Sequence, residues 1–326
     1  MRKIKWGVMG TASIARGFTI PGMKLAENCE LYAIAGRSPE KAEQFRKEFG
    51  FLKAYGSYEE LLQDPEVEAV YIPLPNELHC EWAKKAMEAK KHVLCEKPLA
   101  PSAEQAEDLI NAAKENGVFL MEAFAYLHSP LIRALKEELD SKVIGDVLYL
   151  ENAFITSDYD VSNIRMRRET FGGAAYDLGC YCTSQFVWLL GEPERVSAVA
   201  DFSRQQVDRL TTGIAFYESG ARAVFTCGMV LPTEQYKRLD RLQIHGTKGV
   251  IRTDAEFNQA GTLTYTVTAG GQCVEKTVQA RQNYSLEIEQ FGRCLAGDET
   301  PHVSGEFTLA NARTLDKVLA SIGYSP

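Results

Sequence analysis

A lysine stands at the end of a short apolar run, where burial would make its charge costly. Residues 92–98 read His-Val-Leu-Cys-Glu-Lys-Pro and place Glu96 and Lys97 at the carboxyl end of a predicted buried strand. Burial disfavours a charged ammonium, so we expect a lysine here to act in chemistry, by lowering a neighbouring pKa or by holding a substrate oxygen. Pro98 fixes its own φ angle and restricts the backbone conformation of Lys97. We therefore predict Lys97 as a catalytic residue.

A second candidate segment begins at the glycine pair Gly172-Gly173. Asp177 and Tyr181 follow it and are four residues apart, so a helix would place both on one face. Each also has an ordinary structural explanation, because Asp177 could cap the start of that helix and Tyr181 could be a core aromatic residue. The spacing alone leaves the structural and the chemical interpretation open.

A turn between the first predicted strand and the first predicted helix has the spacing of a dinucleotide-binding loop. From residue 10 it reads Gly-Thr-Ala-Ser-Ile-Ala, which matches G-x-G-x-x-G/A with alanine in place of the second glycine. The glycine permits a tight turn, and the helix N-terminus offers N–H groups to a pyrophosphate. A cofactor-free turn could look the same, but the strand and helix around it favour a dinucleotide. The predicted contacts are Gly10, Thr11, Ala12, Ser13 and Ile14.

The end of the second predicted strand bears on the choice of cofactor. NAD-binding chains commonly have an acid there for the ribose hydroxyls, whereas residues 35–38 read Ala-Gly-Arg-Ser. Arg37 offers a planar, permanently charged group for a 2′-phosphate. Ser38 could add a hydrogen bond and could also cap the next helix. A solvated arginine is the simpler explanation, but the missing acid favours NADP over NAD, with NAD still possible.

Composition limits the class of protein. The chain has 326 residues, enough for two domains, and its net charge of −8 gives no reason to expect nucleic acid or an anionic membrane as a partner. No apolar run approaches the roughly 20 residues that span a bilayer. The N-terminus shows no signal sequence, so we expect a cytoplasmic protein. The eight scattered cysteines form no C-x-x-C pair, which favours reduced thiols and predicts no metal site.

Strands and helices alternate up to residue 121 and then give way to successive strands. Among the alternating elements we predict a helix at residues 39–49 and strands at residues 69–72 and 118–121. Alternation predicts parallel βαβ units, and successive strands predict an antiparallel sheet. We therefore predict an α/β fold with a Rossmann domain, a doubly wound parallel sheet, at residues 1–121. An α+β substrate-binding and oligomerisation domain with a large open, mainly antiparallel sheet follows at residues 122–326. A second subunit could cover one face of that sheet, so we expect a homodimer or homotetramer.

Five short motifs occur in order along the chain. They are Gly10-x-Ala-x-x-Ala15, Pro75-Asn-x-x-His79, Glu96-Lys-Pro98, Asn163-Ile-Arg165 and Gly172-Gly…Asp177-x-Gly-x-Tyr181. With these motifs the chain resembles, over essentially its whole length, the glucose–fructose oxidoreductase/inositol dehydrogenase (Gfo/Idh/MocA) family of NAD(P)-dependent enzymes. Two features resemble the branch that contains dimeric dihydrodiol dehydrogenase and the NADP-linked aldose (xylose or glucose) 1-dehydrogenases: Tyr181, where many relatives have histidine, and Asn163-Ile-Arg165.

The resemblance implies a mechanism and further site residues. Tyr181 would exchange the proton of the reacting oxygen, Lys97 would favour the ionised phenol, and Asp177 would orient the substrate or Lys97. Hydride would pass between the substrate carbon and the nicotinamide. Leu127 stands where relatives often have arginine, which leaves the usual substrate open. The residues that the resemblance places beside the cofactor are Pro73, Leu74, Asn76, His79, Glu96, Lys97 and Arg165; His79 could equally be structural.

The sequence therefore predicts a class of substrate rather than one compound. The expected protein is an NAD(P)-dependent dehydrogenase, NADP-linked, that acts on a CH–OH group of a sugar, polyol or cyclic diol. Two alternatives stay open: an NAD-dependent glycosidase that oxidises its substrate transiently, and a non-enzymatic protein that senses a nucleotide or sugar. The joint presence of Lys97, Asp177 and Tyr181 favours an enzyme, since a sensor needs none of them.

Overall fold

The computed structural model describes residues 2–232 and 238–324, so the predicted domain ends at residues 1 and 326 lie outside the described residues. The described residues form two compact units. The first contains those of Met1–Ala100, Glu104–His128 and Arg281–Thr308, and the second those of Pro101–Ala103, Ser129–Ala280 and Leu309–Pro326. The sequence-based division after residue 121 differs from these units because residues 281–308 pack with the first one, a long-range return that local patterns do not report.

A six-stranded parallel sheet forms the core of the first unit. Its strands are β1 (Ile4–Met9), β2 (Cys29–Ala35), β3 (Lys53–Tyr55), β4 (Ala69–Ile72), β5 (His92–Glu96) and β6 (Leu120–Ala123). They lie in the order β3-β2-β1-β4-β5-β6. The direction of this order changes between β1 and β4, and in such sheets ligands bind outside the carboxyl ends of the strands near that point. A ligand-binding site is therefore expected at the turns after β1, β2, β4 and β5.

Helices connect these strands, and local sequence signals set their ends. The helices are α1 (Ile20–Leu25), α2 (Pro39–Phe49), α3 (Tyr58–Gln63), α4 (Asn76–Glu88) and α5 (Ala103–Asn116). Helix α2 shows the rule: Ser38 caps it by accepting from the Lys41 amide, Pro39 occupies its first turn, and Gly50 ends it with φ of 84°. The predicted range 39–49 is the observed one.

An eight-stranded sheet dominates the second unit. Its strands are β7 (Val147–Ser157), β8 (Arg195–Phe202), β9 (Asp208–Phe216), β10 (Arg222–Leu231), β11 (Arg238–Gly246), β12 (Gly249–Thr253), β13 (Gly261–Ala269) and β14 (Gln272–Ala280). They lie in the order β14-β13-β12-β11-β7-β10-β9-β8. Strands β7 and β10 are parallel, and the other neighbours are antiparallel. Two helices of this unit are α6 (Pro130–Asp140) and α7 (Cys180–Leu190).

Two more helices follow the second sheet. Helix α8 (Asn283–Ala296) lies in the part of the chain that packs with the first unit, and α9 (Gly305–Ser321) comes after it. The predicted fold class, a doubly wound parallel sheet followed by a mainly antiparallel sheet, is confirmed. Among residues 2–232 and 238–324, no helix is both long and apolar enough to cross a membrane.

Candidate active site

The turn after β1 starts at Gly10, whose φ of +131° is a conformation that side-chain-bearing residues rarely adopt. A Cβ at this position would lie 3.1 Å from Leu74 Cδ2, so a side chain would also crowd the residues that follow β4. The Gly10 amide donates to the Ala35 carbonyl at 2.9 Å, which ties the turn to the end of β2. The structure thus brings together two predicted cofactor residues, Gly10 and Leu74.

The next residues, Thr11 to Ile14, lead into a helical segment. The Arg16 amide donates to the Ala12 carbonyl at 3.0 Å, and Ala15–Thr19 forms a π-helical turn that continues into α1. The start of such a segment presents backbone N–H groups that can bind an anion such as a pyrophosphate. Thr11, Ala12, Ser13 and Ile14 lie between β1 and this helical segment, and their contact with a dinucleotide stays a prediction.

Arg37 and Ser38 follow β2 and have different surroundings. Arg37 is exposed. Burial raises the pKa of Tyr58, and the positive charge of Arg37 opposes that shift, so the two side chains are within electrostatic reach. The Tyr58 hydroxyl also lies 3.9 Å from the position that a Cβ on Gly10 would occupy. Tyr58 is therefore near the glycine turn and within electrostatic reach of Arg37. The Ser38 hydroxyl caps α2 and also donates to Glu40 at 2.8 Å, so it has the structural role that the sequence left open.

Glu96 ends β5 and Lys97 follows it, and a buried hydroxyl network supports Glu96. The Tyr71 hydroxyl donates to Glu96 Oε1 at 2.6 Å and lies 2.9 Å from the Thr19 hydroxyl. Burial, with the Glu96 carboxylate beside it, raises the pKa of Tyr71 well above its ordinary value, so Tyr71 is a permanent donor. This network links the end of β5 to the π-helical turn. Sequence reasoning missed Tyr71, although a hydroxyl inside the apolar run of β4 was a usable signal.

His79 fixes the turn that contains Lys97. Its Nδ1 lies 2.9 Å from the Pro98 carbonyl oxygen and its Nε2 lies 2.8 Å from the Leu74 carbonyl oxygen. Burial lowers the pKa of His79, while the two carbonyls oppose that shift. His79 therefore joins the turn after β4, residues 73–75, to the turn after β5. Pro73 and Leu74 are buried in the first of these turns, and Asn76 begins α4.

Arg165 and Asp177, predicted for different roles, form an ion pair in the second unit. Arg165 Nε donates to Asp177 Oδ2 at 2.7 Å. The Asp177 carboxylate raises the pKa of Arg165, which keeps the guanidinium charged. The backbone holds the same geometry, because the Gly173 amide donates to the Arg165 carbonyl at 2.8 Å. A Cβ on Gly172 would lie 2.5 Å from that carbonyl oxygen, which explains the need for glycine there.

Tyr181 lies in the first turn of α7, and Asp177 lies in the π-helical turn Ala175–Gly179 that precedes it. The Tyr181 ring packs against Phe154 and Phe257, with ring centroids 5.2 Å and 5.3 Å away. Aromatic pairs at these distances orient a ring without using its hydroxyl. The sequence did not point to Phe154 or Phe257, because their approach depends on the pairing of distant segments.

The structure therefore groups the predicted residues by unit. Gly10, Arg37, His79 and Lys97 belong to the first unit, together with the other residues predicted at the turns after β1, β2, β4 and β5. Arg165, Asp177 and Tyr181 belong to the second unit. Leu127, the departure from the family pattern, is 2% exposed in a 3₁₀ turn of the first unit, Ala125–His128.

Two family models match the chain. Residues 4–124 match an oxidoreductase family with an NAD-binding Rossmann fold. Residues 132–252 match the GFO/IDH/MocA C-terminal domain. The first match covers all six strands of the parallel sheet, and the second covers β7 to β11 and most of β12.

Individual proteins are also similar over most of the chain. D-xylose 1-dehydrogenase (NADP(+)) 2 of Haloferax volcanii is 36% identical over 97% of this chain and 96% of its own length. Trans-1,2-dihydrobenzene-1,2-diol dehydrogenase of Xenopus tropicalis is 35% identical over 78% of this chain and 76% of its own. These relatives agree with the branch predicted from Tyr181 and Asn163-Ile-Arg165.

A solved structure gives the same result for the fold. A 3-ketoreductase from Actinomadura kijaniata, in complex with NADP and TDP-benzene, is 30% identical and covers 100% of both chains with a TM-score of 0.91. The fold, the order of the motifs and the family matches all agree. The chain therefore belongs to the GFO/IDH/MocA family of oxidoreductases with an NAD-binding Rossmann fold.

Proposed function

We propose that this protein is an NADP-dependent dehydrogenase that transfers hydride between the nicotinamide and a CH–OH group of a sugar, polyol or cyclic diol. The observation that carries the proposal is the carboxyl edge of the parallel sheet. There the Gly10 turn, the exposed Arg37 and the Lys97 turn follow β1, β2 and β5. The similarity to an NADP(+)-linked D-xylose dehydrogenase, to a dihydrobenzenediol dehydrogenase and to a 3-ketoreductase in complex with NADP supports the same class of reaction.

The residues at this edge fit NADP. Gly10 keeps the turn free of a side chain that would crowd Leu74, as a close backbone approach to a pyrophosphate requires. Arg37 offers a guanidinium for the 2′-phosphate, and residues 35–38, all described, contain no acid for the ribose hydroxyls. The names of the Haloferax relative and the Actinomadura structure both include NADP. These features favour NADP over NAD.

The proposed chemistry uses Tyr181 and Lys97. In the oxidative direction Tyr181 takes the proton from the substrate hydroxyl. A free phenol, with a pKa of about 10, is a weak base at neutral pH. The Lys97 ammonium favours the ionised phenol and stabilises negative charge on the substrate oxygen. When bound, the nicotinamide supplies the hydride acceptor, which is the cofactor's own chemistry.

Asp177 is proposed to position these groups rather than to exchange the proton. Its carboxylate accepts from Arg165 at 2.7 Å, and this pairing orients it. An ionised carboxylate is an acceptor for a second substrate hydroxyl. Arg165, predicted beside the cofactor, is then the group that orients Asp177.

A substrate panel tests the proposal. The protein is mixed with NADP and separately with NAD, together with aldoses, inositols and cyclic diols, and the absorbance of reduced nicotinamide is followed. We expect at least one member to reduce NADP. Cleavage of a glycoside without net reduction of the cofactor would identify a glycosidase instead. Ligand-dependent thermal stabilisation without turnover of any member would identify a binding protein.

We also propose that the second sheet forms a homodimer or homotetramer. Buried and exposed residues alternate along β8 and β9, and the exposed ones include Val199, 73% exposed, and Ile214, 39% exposed. Apolar residues on an open sheet face are typical of a surface that a second subunit covers. Sedimentation equilibrium should show a species larger than the chain mass of 36.3 kDa. A monomer at micromolar concentration would contradict this proposal.

A further inference from the structure

Glu122 is a buried acid beside the strand end that carries Lys97. It lies on β6, where its partner across the ladder is Cys95 of β5, the residue before Glu96. Glu122 is 4% exposed. Acidic residues are rarely this buried unless they are paired or serve a function. The burial and the register together place a carboxyl at the base of the Lys97 turn.

The Glu122 side chain bonds directly to that turn. The Leu99 amide donates to Glu122 Oε1 at 2.9 Å. From the other direction His79 Nδ1 lies 2.9 Å from the Pro98 carbonyl oxygen. Two side chains from different elements, α4 and β6, therefore hold the two residues that follow Lys97. The Leu99 amide could bond equally well to an uncharged acceptor such as a glutamine side chain. The bond alone therefore does not explain why residue 122 is an acid.

The charge of Glu122 changes near neutral pH. Burial raises its pKa from 4.5 to about 7, while the Leu99 amide, the Thr308 hydroxyl and the Lys97 ammonium oppose that shift. The other titratable groups that face it or the turn are Glu96, Cys95 and His79. Because the raised pKa favours the neutral acid in the folded state, its stabilising effect is full below about pH 4.5 and is lost as the pH rises through about 7.

We propose that Glu122 is the positioning residue for Lys97: its carboxyl holds the Lys97-Pro98-Leu99 turn and, when ionised, balances the Lys97 ammonium. The proposal rests on the proposed catalytic role of Lys97. The bond to Leu99 sets where the ammonium lies, and the charge of the carboxylate sets how strongly Lys97 keeps its proton. Lys97 would then be a stronger source of positive potential with Glu122 neutral than with Glu122 ionised.

Glu122→Gln separates the two parts of this role, because glutamine can accept from Leu99 but cannot ionise. The first readout is the rate at which an amine-reactive reagent labels Lys97, followed by peptide mass spectrometry. The ratio of the variant rate to the wild-type rate should be near one at about pH 5.5 and should rise about threefold or more at about pH 8. Equal ratios at the two pH values would overturn the proposal.

The second readout is the melting temperature, which needs neither substrate nor turnover. The melting temperature of Glu122→Gln minus that of wild type should increase by a few degrees between about pH 5 and about pH 8, because only wild type ionises a buried acid. A difference independent of pH would show that Glu122 does not titrate in this range and would overturn the proposal. Glu107→Gln on α5, an exposed acid, is the matched control and should show neither effect.

The test also works if the variant does not fold or if the substrate panel fails. If Glu122→Gln does not fold, the labelling rate of Lys97 in wild type alone must show an inflection near pH 7, and a profile without one contradicts the proposal. Labelling does not depend on catalysis, so its result is separate from that of the substrate panel. Failure of the panel would remove the proposed function while the labelling profile still decides whether Glu122 controls Lys97.

Discussion

The Lys97 turn and the Asp177–Tyr181 segment are held in different ways. Lys97 follows a buried strand, and its turn is bonded by His79 at the Pro98 carbonyl and by Glu122 at the Leu99 amide. Asp177 is instead held by a charged partner, Arg165, at 2.7 Å, and Tyr181 is held by aromatic packing. The first segment is thus positioned through backbone groups, and the second through side chains. Substitutions should therefore affect the two segments differently.

The largest expected effect is that of Lys97→Met. The thioether side chain fills similar space without a charge, and the bonds to Pro98 and Leu99 do not involve the lysine side chain, so the turn should keep its form. Turnover should be lost while NADP affinity is largely retained. Steady-state kinetics and cofactor titration measure both, with Lys84→Met on the exposed face of α4 as the control. A fall of less than about tenfold, or about 1.4 kcal/mol, would exclude a catalytic role.

Asp177→Asn should have an intermediate effect, since it removes the charge that Arg165 orients. The side chain keeps its size, but the pairing loses its ionic part and any substrate hydroxyl loses an anionic acceptor. We expect kcat/KM to fall by roughly tenfold or more, with little change in NADP affinity. The control is Asp158→Asn, which removes an acid from a more exposed ion pair with Arg209. Equal kinetics for both variants would make Asp177 a structural residue only.

Arg37→Ala should have the smallest and most selective effect. It removes the group proposed to bind the 2′-phosphate, so NADP affinity should fall by about tenfold while NAD affinity stays nearly the same. Titration of both cofactors against wild type, Arg37→Ala and the exposed control Lys47→Ala measures this. Equal losses for the two cofactors would show that Arg37 does not discriminate between them.

Sequence patterns predicted the parts of the fold that local signals determine. The Ser38 cap and Pro39 gave α2 its ends, and the apolar run at residues 69–72 gave β4. Strand β3 was missed because three residues give no period, and β12, β14 and α6 were also missed. Strand β6 was predicted at residues 118–121 but is Leu120–Ala123. The apolar run does not mark the ends of this strand, which starts two residues later and includes the buried acid Glu122.

The candidate site could be predicted only as separate pieces. Lys97, Asp177 and Tyr181 were predicted from residue type, spacing and family resemblance. The contact between Arg165 and Asp177 was not, because it joins residues twelve positions apart through a loop whose path depends on Gly172 and Gly173. The bond from Leu99 to Glu122 likewise depends on the pairing of β5 with β6. Such contacts follow from tertiary packing and have no local pattern.

The pH profile of Tyr181→Phe tests the central claim most directly. Phenylalanine keeps the ring that packs on Phe154 and Phe257 but removes the only group of Tyr181 that can exchange a proton. Fold and NADP affinity should survive, and the chemical step should slow by roughly two to four orders of magnitude. Wild-type oxidation should become faster with rising pH as the phenol ionises, and the variant should lose that rise. A variant with wild-type rate and pH profile would show that Tyr181 is a packing residue and would contradict the proposed mechanism.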